Sequence, residues 1–157
     1  MALTPFSVYR PAGLSVRTRV LPKAAATNYK AGDPIILTTG LAVEAGADPA
    51  LNTVLGVAQA NAILTGYGST TCMVSAIDIS DTWVGSVDDS GAFGTGISAI
   101  AQRGVRYGIA RDATSGLWYI DIADTTAVRV RVEALIDAVG TVQGRVEFTW
   151  IQGDNAL

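Results

Sequence analysis

Hydrophobic and polar positions alternate with a period of two through most of this chain, the spacing that sends successive side chains to opposite faces of a strand. The clearest runs lie in the C-terminal third. Val128-Arg129-Val130-Arg131-Val132-Glu133 and Arg145-Val146-Glu147-Phe148-Thr149-Trp150-Ile151 each read as a half-buried strand with one wet face. Val105 to Ala110 and Leu117 to Ile122 flank a loop, Arg111 to Gly116, of hairpin length, whose final glycine suits the left-handed conformation. Earlier in the chain the runs are shorter. Ile35-Ile36-Leu37 follows the turn sequence Ala31-Gly32-Asp33-Pro34 and stops at Thr39-Gly40, after which Leu41 to Glu44 forms the next strand. Val54 to Gln59 carries Gly56 where a bulge or a close backbone approach would suit. In Thr70 to Ile79, Cys72, Val74 and Ala76 oppose Met73, Ser75 and Ile77; Ser80-Asp81 then ends or bends the run before Thr82 to Val87.

Two stretches depart from this meander. Residues 14 to 21 alternate, with Leu14, Val16, Thr18 and Val20 on one side and Ser15, Arg17 and Arg19 on the other, but they lie in a Pro-punctuated segment (Pro5, Pro11, Pro22). Such a segment reads either as an arm lying along a sheet edge or as the first strand of the domain. From Ala92 to Arg103, Ile97, Ile100 and Ala101 fall at helical spacing and Gly104 stands where a helix would stop, although Gly94 and Gly96 weaken its start. The expected fold is therefore mainly β: a small β-sandwich or barrel-like domain of short antiparallel strands over residues 29–157, with one short helix at about residues 94–103, preceded by an extended arm over residues 1–28.

A chain of 157 residues suits one domain, able to bury roughly 70% of the surface its unfolded form exposes. Charged residues make up 16%, against about 25% in an average soluble domain, and 49% of residues are hydrophobic. A surface so poor in charge is expected to be covered in part by partner subunits. Charge is also distributed unevenly. Arg10, Arg17, Arg19, Lys23 and Lys30 precede the first acid, Asp33, and the chain beyond is acidic. The net charge of −3 argues against direct nucleic-acid binding, which needs clustered cations. No apolar run approaches the eighteen or so residues of a spanning helix, and the opening residues lack a signal-peptide layout, so no membrane partner and synthesis in a cytoplasm are expected. Cys72, the single cysteine, reads as a small buried hydrophobe.

Reaction chemistry is not legible. There is no histidine, no phosphate-cradling loop with its lysine, and no nucleophile elbow. Asp78, Asp81, Asp88, Asp89, Asp121 and Asp124 stand at strand ends, where aspartate serves local turns, and none follows a calcium-loop pattern. No catalytic residue, cofactor or metal site is expected. Trp83, Trp118 and Trp150, with Tyr107 and Tyr119, fall inside β runs, but no basic stripe accompanies them as base stacking would need; they read as core or subunit interface.

The order of these motifs resembles that of tailed-phage capsid decoration, or cement, proteins. It is carried by Tyr29-Lys30-Ala31-Gly32-Asp33-Pro34-Ile35-Ile36-Leu37, by Val54 to Gln59, by Gly104 to Ile109 with Leu117 to Asp121, and by Val128 to Val132 and Gly144 to Phe148. It spans about residues 29–151 and does not extend to the basic arm. It implies a non-enzymatic virion protein on the capsid exterior, a homotrimer at local three-fold positions that clamps the major capsid protein after the shell expands. Arg10, Arg17, Arg19 and Lys23 would then meet an acidic coat surface, and deletion of residues 1–24 would leave a folded body that no longer decorates heads. The rival readings are a tail or other virion structural protein, a carbohydrate-binding β-sandwich using exposed Trp83 and Trp118, and a two-carboxylate hydrolase.

Overall fold

The computed structural model describes residues 2–10, 17–24, 28–46, 49–50, 53–59, 71–77 and 81–151. Leu14, Ser15, Val16, Asp78 and the side chain of Arg10, on which some of these expectations rest, lie outside the described residues. Within them the chain is mainly β, with strands β1 Ser7–Arg10, β2 Thr18–Pro22, β3 Pro34–Thr38, β4 Leu41–Glu44, β5 Val54–Ala58, β6 Thr71–Ala76, β7 Thr82–Asp88, β8 Arg106–Arg111, β9 Trp118–Asp121, β10 Val130–Leu135 and β11 Arg145–Trp150. The expected β8–β9 hairpin forms, and Gly116 takes the left-handed conformation with φ 69°.

The strands make two sheets. One has the order β1-β7-β11-β10-β8-β9, and β9 also pairs in parallel with the end of β7, setting Val87 beside Ile120 and Asp88 beside Asp121. β7, β11, β10, β8 and β9 therefore close into a ring, while β1 lies along the first half of β7. Closure abolishes the exposed edges that an open sheet would present. The other sheet has the order β2-β6-β5-β3-β4, and its two outer strands approach each other where Lys23 bridges to Ala42.

Alternation explains the interior of the ring. Trp83 and Val87 of β7, Ile109 of β8, Ile120 of β9, Val130 and Val132 of β10, and Val146 and Phe148 of β11 are all fully buried. Their aromatic rings meet edge to face, with Trp83 and Trp150 at 6.2 Å and Phe148 and Trp150 at 5.7 Å, the geometry that aromatic quadrupoles favour. A second cluster inside the curled sheet uses smaller side chains: Ile35, Ala42, Ala58, Cys72 and Val74 with Tyr29. Cys72 is free, fully buried and packs here as a small apolar group. Gly56 sits at a register shift between β3 and β5, and a Cβ there would come within 2.6 Å of the Ser75 carbonyl oxygen, so both the bulge and the close approach are present.

The N-terminal segment is extended, and it is built into both sheets. β1 borders the ring and β2 borders the second sheet. Between them in importance is Phe6, which is almost fully buried, stands edge-on to Phe148 at 5.2 Å and reaches Trp150 at 6.0 Å. Gly85 makes room for it: a Cβ on Gly85 would lie 2.6 Å from the Phe6 ring.

The short helix shrinks to one 3-10 turn, Ile100–Gln102. The chain before that turn instead wraps the fully buried carboxylate of Asp88. Its Oδ1 accepts the backbone N–H groups of Asp89 at 2.8 Å and of Gly94 and Gly96 at 3.0 Å, while the Gln143 side-chain amide donates to Oδ2 at 2.7 Å. This many donors satisfy the buried charge, and the groups a helical ladder would use are taken elsewhere: the Gly96 and Ser98 carbonyls accept the Gln143 and Gly140 N–H groups, and the Ser98 N–H donates to the Thr141 carbonyl. Gly96 is needed for the approach, since a Cβ there would lie 2.4 Å from Asp88 Cα. Gly104, with φ 78°, closes the turn as the sequence predicts for a helix stop.

Phe6→Ala should cost about 3–5 kcal/mol, the range for emptying a buried phenylalanine site, read as a lowered urea midpoint. Removing residues 1–24 takes away the same ring together with two strands. That truncation is accordingly expected to destabilise the body as well, and an unchanged midpoint would show that Phe6 contributes nothing to the core.

Candidate contact surfaces

The four predicted coat-binding cations fall on or beside the two strands that border the sheets. The backbone of Arg10 ends β1, paired with Thr82. Arg17 precedes β2, where its carbonyl accepts the Ala76 N–H at 2.8 Å; Arg19 is exposed on β2 opposite Val74; and Lys23 follows β2 at the bridge to Ala42. The structure thus gathers Arg17, Arg19 and Lys23 along one sheet margin. Arg10 belongs to the other sheet.

β2 also carries an apolar contact that faces solvent. Val20 is directly across from Met73 of β6, and the two are 60% and 50% exposed. The alternation places Thr18 and Val20 together, as the sequence predicts, but this is the outer face; Leu21 is the residue of β2 that packs against the small cluster. Leu37 and Leu41, at the β3–β4 turn, are exposed as well.

A second apolar surface comes from two loops zipped together. Ser98 N–H donates to the Thr141 carbonyl at 3.0 Å, Gly140 N–H to the Ser98 carbonyl at 2.8 Å and Gln143 N–H to the Gly96 carbonyl at 2.7 Å, so Ile97 stands beside Val142. The polarity is inverted here. Asp88, Ser98, Gln102 and Gln143 point inward and are buried, whereas Ile97, Ile100, Val139 and Val142 point outward, Ile100 and Val139 being 66% and 60% exposed. Helical spacing would have turned Ile97 and Ile100 to the core; the Asp88 cradle turns them out. Val139 and Val142 carry no periodic signal in the sequence, and only the Ile97 pairing reveals them.

Trp83, Trp118 and Trp150 are all buried in the core. The Trp118 indole N–H donates to Glu44 Oε1 at 3.3 Å. Neither Trp83 nor Trp118 presents a ring face to a sugar. The aspartates at strand ends serve turns: Asp121 Oδ1 accepts the N–H groups of Ser90 and Ala123, and Asp124 Oδ1 those of Thr126 and Ala127. Among the described residues no three acidic, cysteine or histidine side chains are gathered as a metal site would require. Among them, too, no helix is long and apolar enough to cross a membrane.

A polar clasp joins the two sheets. Arg111 of β8 pairs with Glu44 of β4 at 3.0 Å, and the Lys30 ammonium donates to the Ser115 carbonyl at 2.6 Å. Beside it lies Asp33, only 1% exposed, with Oδ2 accepting the Lys30 backbone N–H at 2.5 Å and Oδ1 without a partner. Burial pushes the Asp33 carboxyl up to about 6; the Glu44 charge adds to the rise, and the Lys30 N–H, Arg111 and the Lys30 ammonium oppose it.

Comparison with protein-family models, with curated proteins and with solved structures finds no match to this chain.

The raised Asp33 value makes stability depend on pH. A carboxyl that titrates near 6 when folded, against 3.8 for the free group, holds its proton more tightly in the native state. Its contribution is complete below about pH 4 and is lost as pH rises to about 6. The urea midpoint should fall across that window, and Asp33→Asn should flatten the fall. Asp112 and Asp137, held below the usual carboxylate range by hydrogen bonds from Ser115 and Arg145, act in the opposite sense below that window. A slope unchanged by Asp33→Asn would assign the effect elsewhere.

Proposed function

We propose that this is a non-enzymatic structural protein of a phage virion, a decoration protein that binds the outside of the capsid as a homotrimer and holds the mature, expanded shell together. One observation carries the reading: rigid β scaffolding presents aliphatic side chains outward at two places, one of them bordered by cations. Val20 and Met73 share the β2 margin with Arg19 and Lys23. The Ile97, Ile100, Val139 and Val142 surface lies over the buried Asp88 cradle, and its four exposed side chains are all aliphatic.

In this reading the β2 margin meets an acidic coat surface and the Ile97, Ile100, Val139 and Val142 surface meets a neighbouring copy. Apolar area covered only on the assembled shell stabilises that state by mass action, because the ligand binds one state of the shell and not the other. The cations steer the encounter and set its salt dependence more than they hold the complex. Fully covering four aliphatic side chains is worth roughly 25 cal/mol for each Å² removed from water, enough to form the centre of a contact but not a whole standard interface.

The test mixes the purified protein with expanded and unexpanded shells and measures co-sedimentation. Binding to expanded shells alone is expected. Reversing Arg19 and Lys23 to Glu should weaken it at least tenfold without moving the thermal midpoint by more than a few degrees. Ile100→Asp together with Val139→Asp should convert a trimer, measured by light scattering, to a monomer. A native monomer that ignores every shell sinks the reading, and assembly into rings or tubes would move it to a tail protein.

A further inference from the structure

The second sheet is not closed along the whole of β2. Among the described residues its outer strands, β2 and β4, are joined by the parallel bridge of Lys23 to Ala42, where the Ala24 N–H donates to the Ala42 carbonyl at 3.2 Å. Beyond that bridge β4 has turned back into β3 through Thr39 and Gly40, both left-handed with φ 50° and 82°, whereas β2 extends to Thr18. A gap one strand wide is left beside Thr18–Leu21.

Main-chain register fixes which groups face this gap. The Arg17 carbonyl accepts the Ala76 N–H at 2.8 Å, so in the antiparallel pairing of β2 with β6 residues 17, 19 and 21 direct their N–H and C=O groups to β6. Thr18 and Val20 direct theirs the other way, and among the described residues nothing hydrogen-bonds to them there. Both residues are exposed. Side chains divide by the same alternation. Arg19 lies opposite the buried Val74 and Lys23 opposite the buried Ala42, so both cations border the inner face, whereas Val20 and Met73 share the outer one. A bare edge with this layout selects its partner by charge. A second copy docked with Thr18 opposite Val20 would set two Arg19 side chains directly across from each other, which is unfavourable. An extended segment with carboxylates at alternate positions would instead meet Arg19 on the inner side and lay its intervening apolar side chains beside Val20, while its main chain pairs with Thr18 and Val20.

We propose that the outer edge of β2 accepts an extended segment of another polypeptide, acidic and apolar at alternate positions, which adds as a strand beside Thr18–Leu21. The proposal rests on the reading of the β2 margin as a binding surface, and it names how that surface engages.

The test uses the whole ¹⁵N-labelled protein and an acetylated, amidated peptide alternating Glu and Val over six residues. Addition of the peptide should slow amide exchange at Thr18 and Val20 at least tenfold and leave Arg19 and Leu21, already bonded to β6, unchanged. A peptide with Lys in place of Glu should bind at least tenfold more weakly, and Arg19→Glu should reverse that preference. Val20→Pro removes an outward N–H that the sheet does not use, so it should weaken binding of the acidic peptide at least tenfold while circular dichroism stays unchanged. Equal binding of the two peptides overturns the proposal. So do shifted Arg19 and Lys23 signals without protection of Thr18 and Val20, which would leave charge attraction alone. Protection of the same amides in concentrated protein without peptide also overturns it, since the occupant would then be a second copy of this chain. Co-sedimentation with shells reports on decoration separately, so the two readings can fail independently.

Discussion

The insertion of one aromatic ring beneath a glycine organises the rest of this structure. Phe6 occupies the space that a side chain on Gly85 would fill and meets Phe148 and Trp150 edge to face, so the N-terminal segment cannot leave without opening the main core. Once the ring is seated, β1 must run along the first half of β7, because β9 already holds the end of that strand. The chain then crosses to the second sheet and supplies β2 as its margin. A segment with the composition of a tether thereby becomes two strands, and its cations become fixtures of a sheet edge.

The Asp88 cradle is the second organising feature, and it links packing to surface. A buried carboxylate is stable only when its oxygens are supplied with donors. Here those donors come from Asp89, Gly94, Gly96 and Gln143, which bend the chain on both sides of the cradle and zip the 96–98 loop to the 140–143 loop. With the polar groups drawn inside, the aliphatic groups between them have only the outside left. The inverted surface of Ile97, Ile100, Val139 and Val142 is thus a consequence of satisfying one charge, and it gives the molecule an ordered apolar face well suited to a neighbour.

Much of the architecture was legible in the chain. The alternation marked β3 to β11 closely, and the glycines at 56, 104 and 116 each stand where a bulge, a stop and a left-handed turn were read. The helix was not legible as a turn, because the spacing of Ile97, Ile100 and Ala101 is a local signal and the competitors for its backbone groups, Gly140, Thr141 and Gln143, lie outside the window in which that spacing is read. The burial of Asp33 was equally hidden. In sequence it is a turn aspartate before a proline; only its burial in the folded chain removes it from water and lifts its carboxyl.

Periodicity by itself determined which stretches extend and which side chains share a face, since a strand places every second residue on one side whatever surrounds it. Composition added that the charge is divided into a cationic beginning and an anionic remainder. Neither could decide which face turns inward. Val20 and Val130 alternate with arginines in the same way, yet one is open to solvent and the other fully buried. The difference is position: β10 lies inside a closed ring with strands on both sides, whereas β2 is the last strand of its sheet. Inside and outside are properties of closure, and closure depends on contacts between residues far apart in the chain.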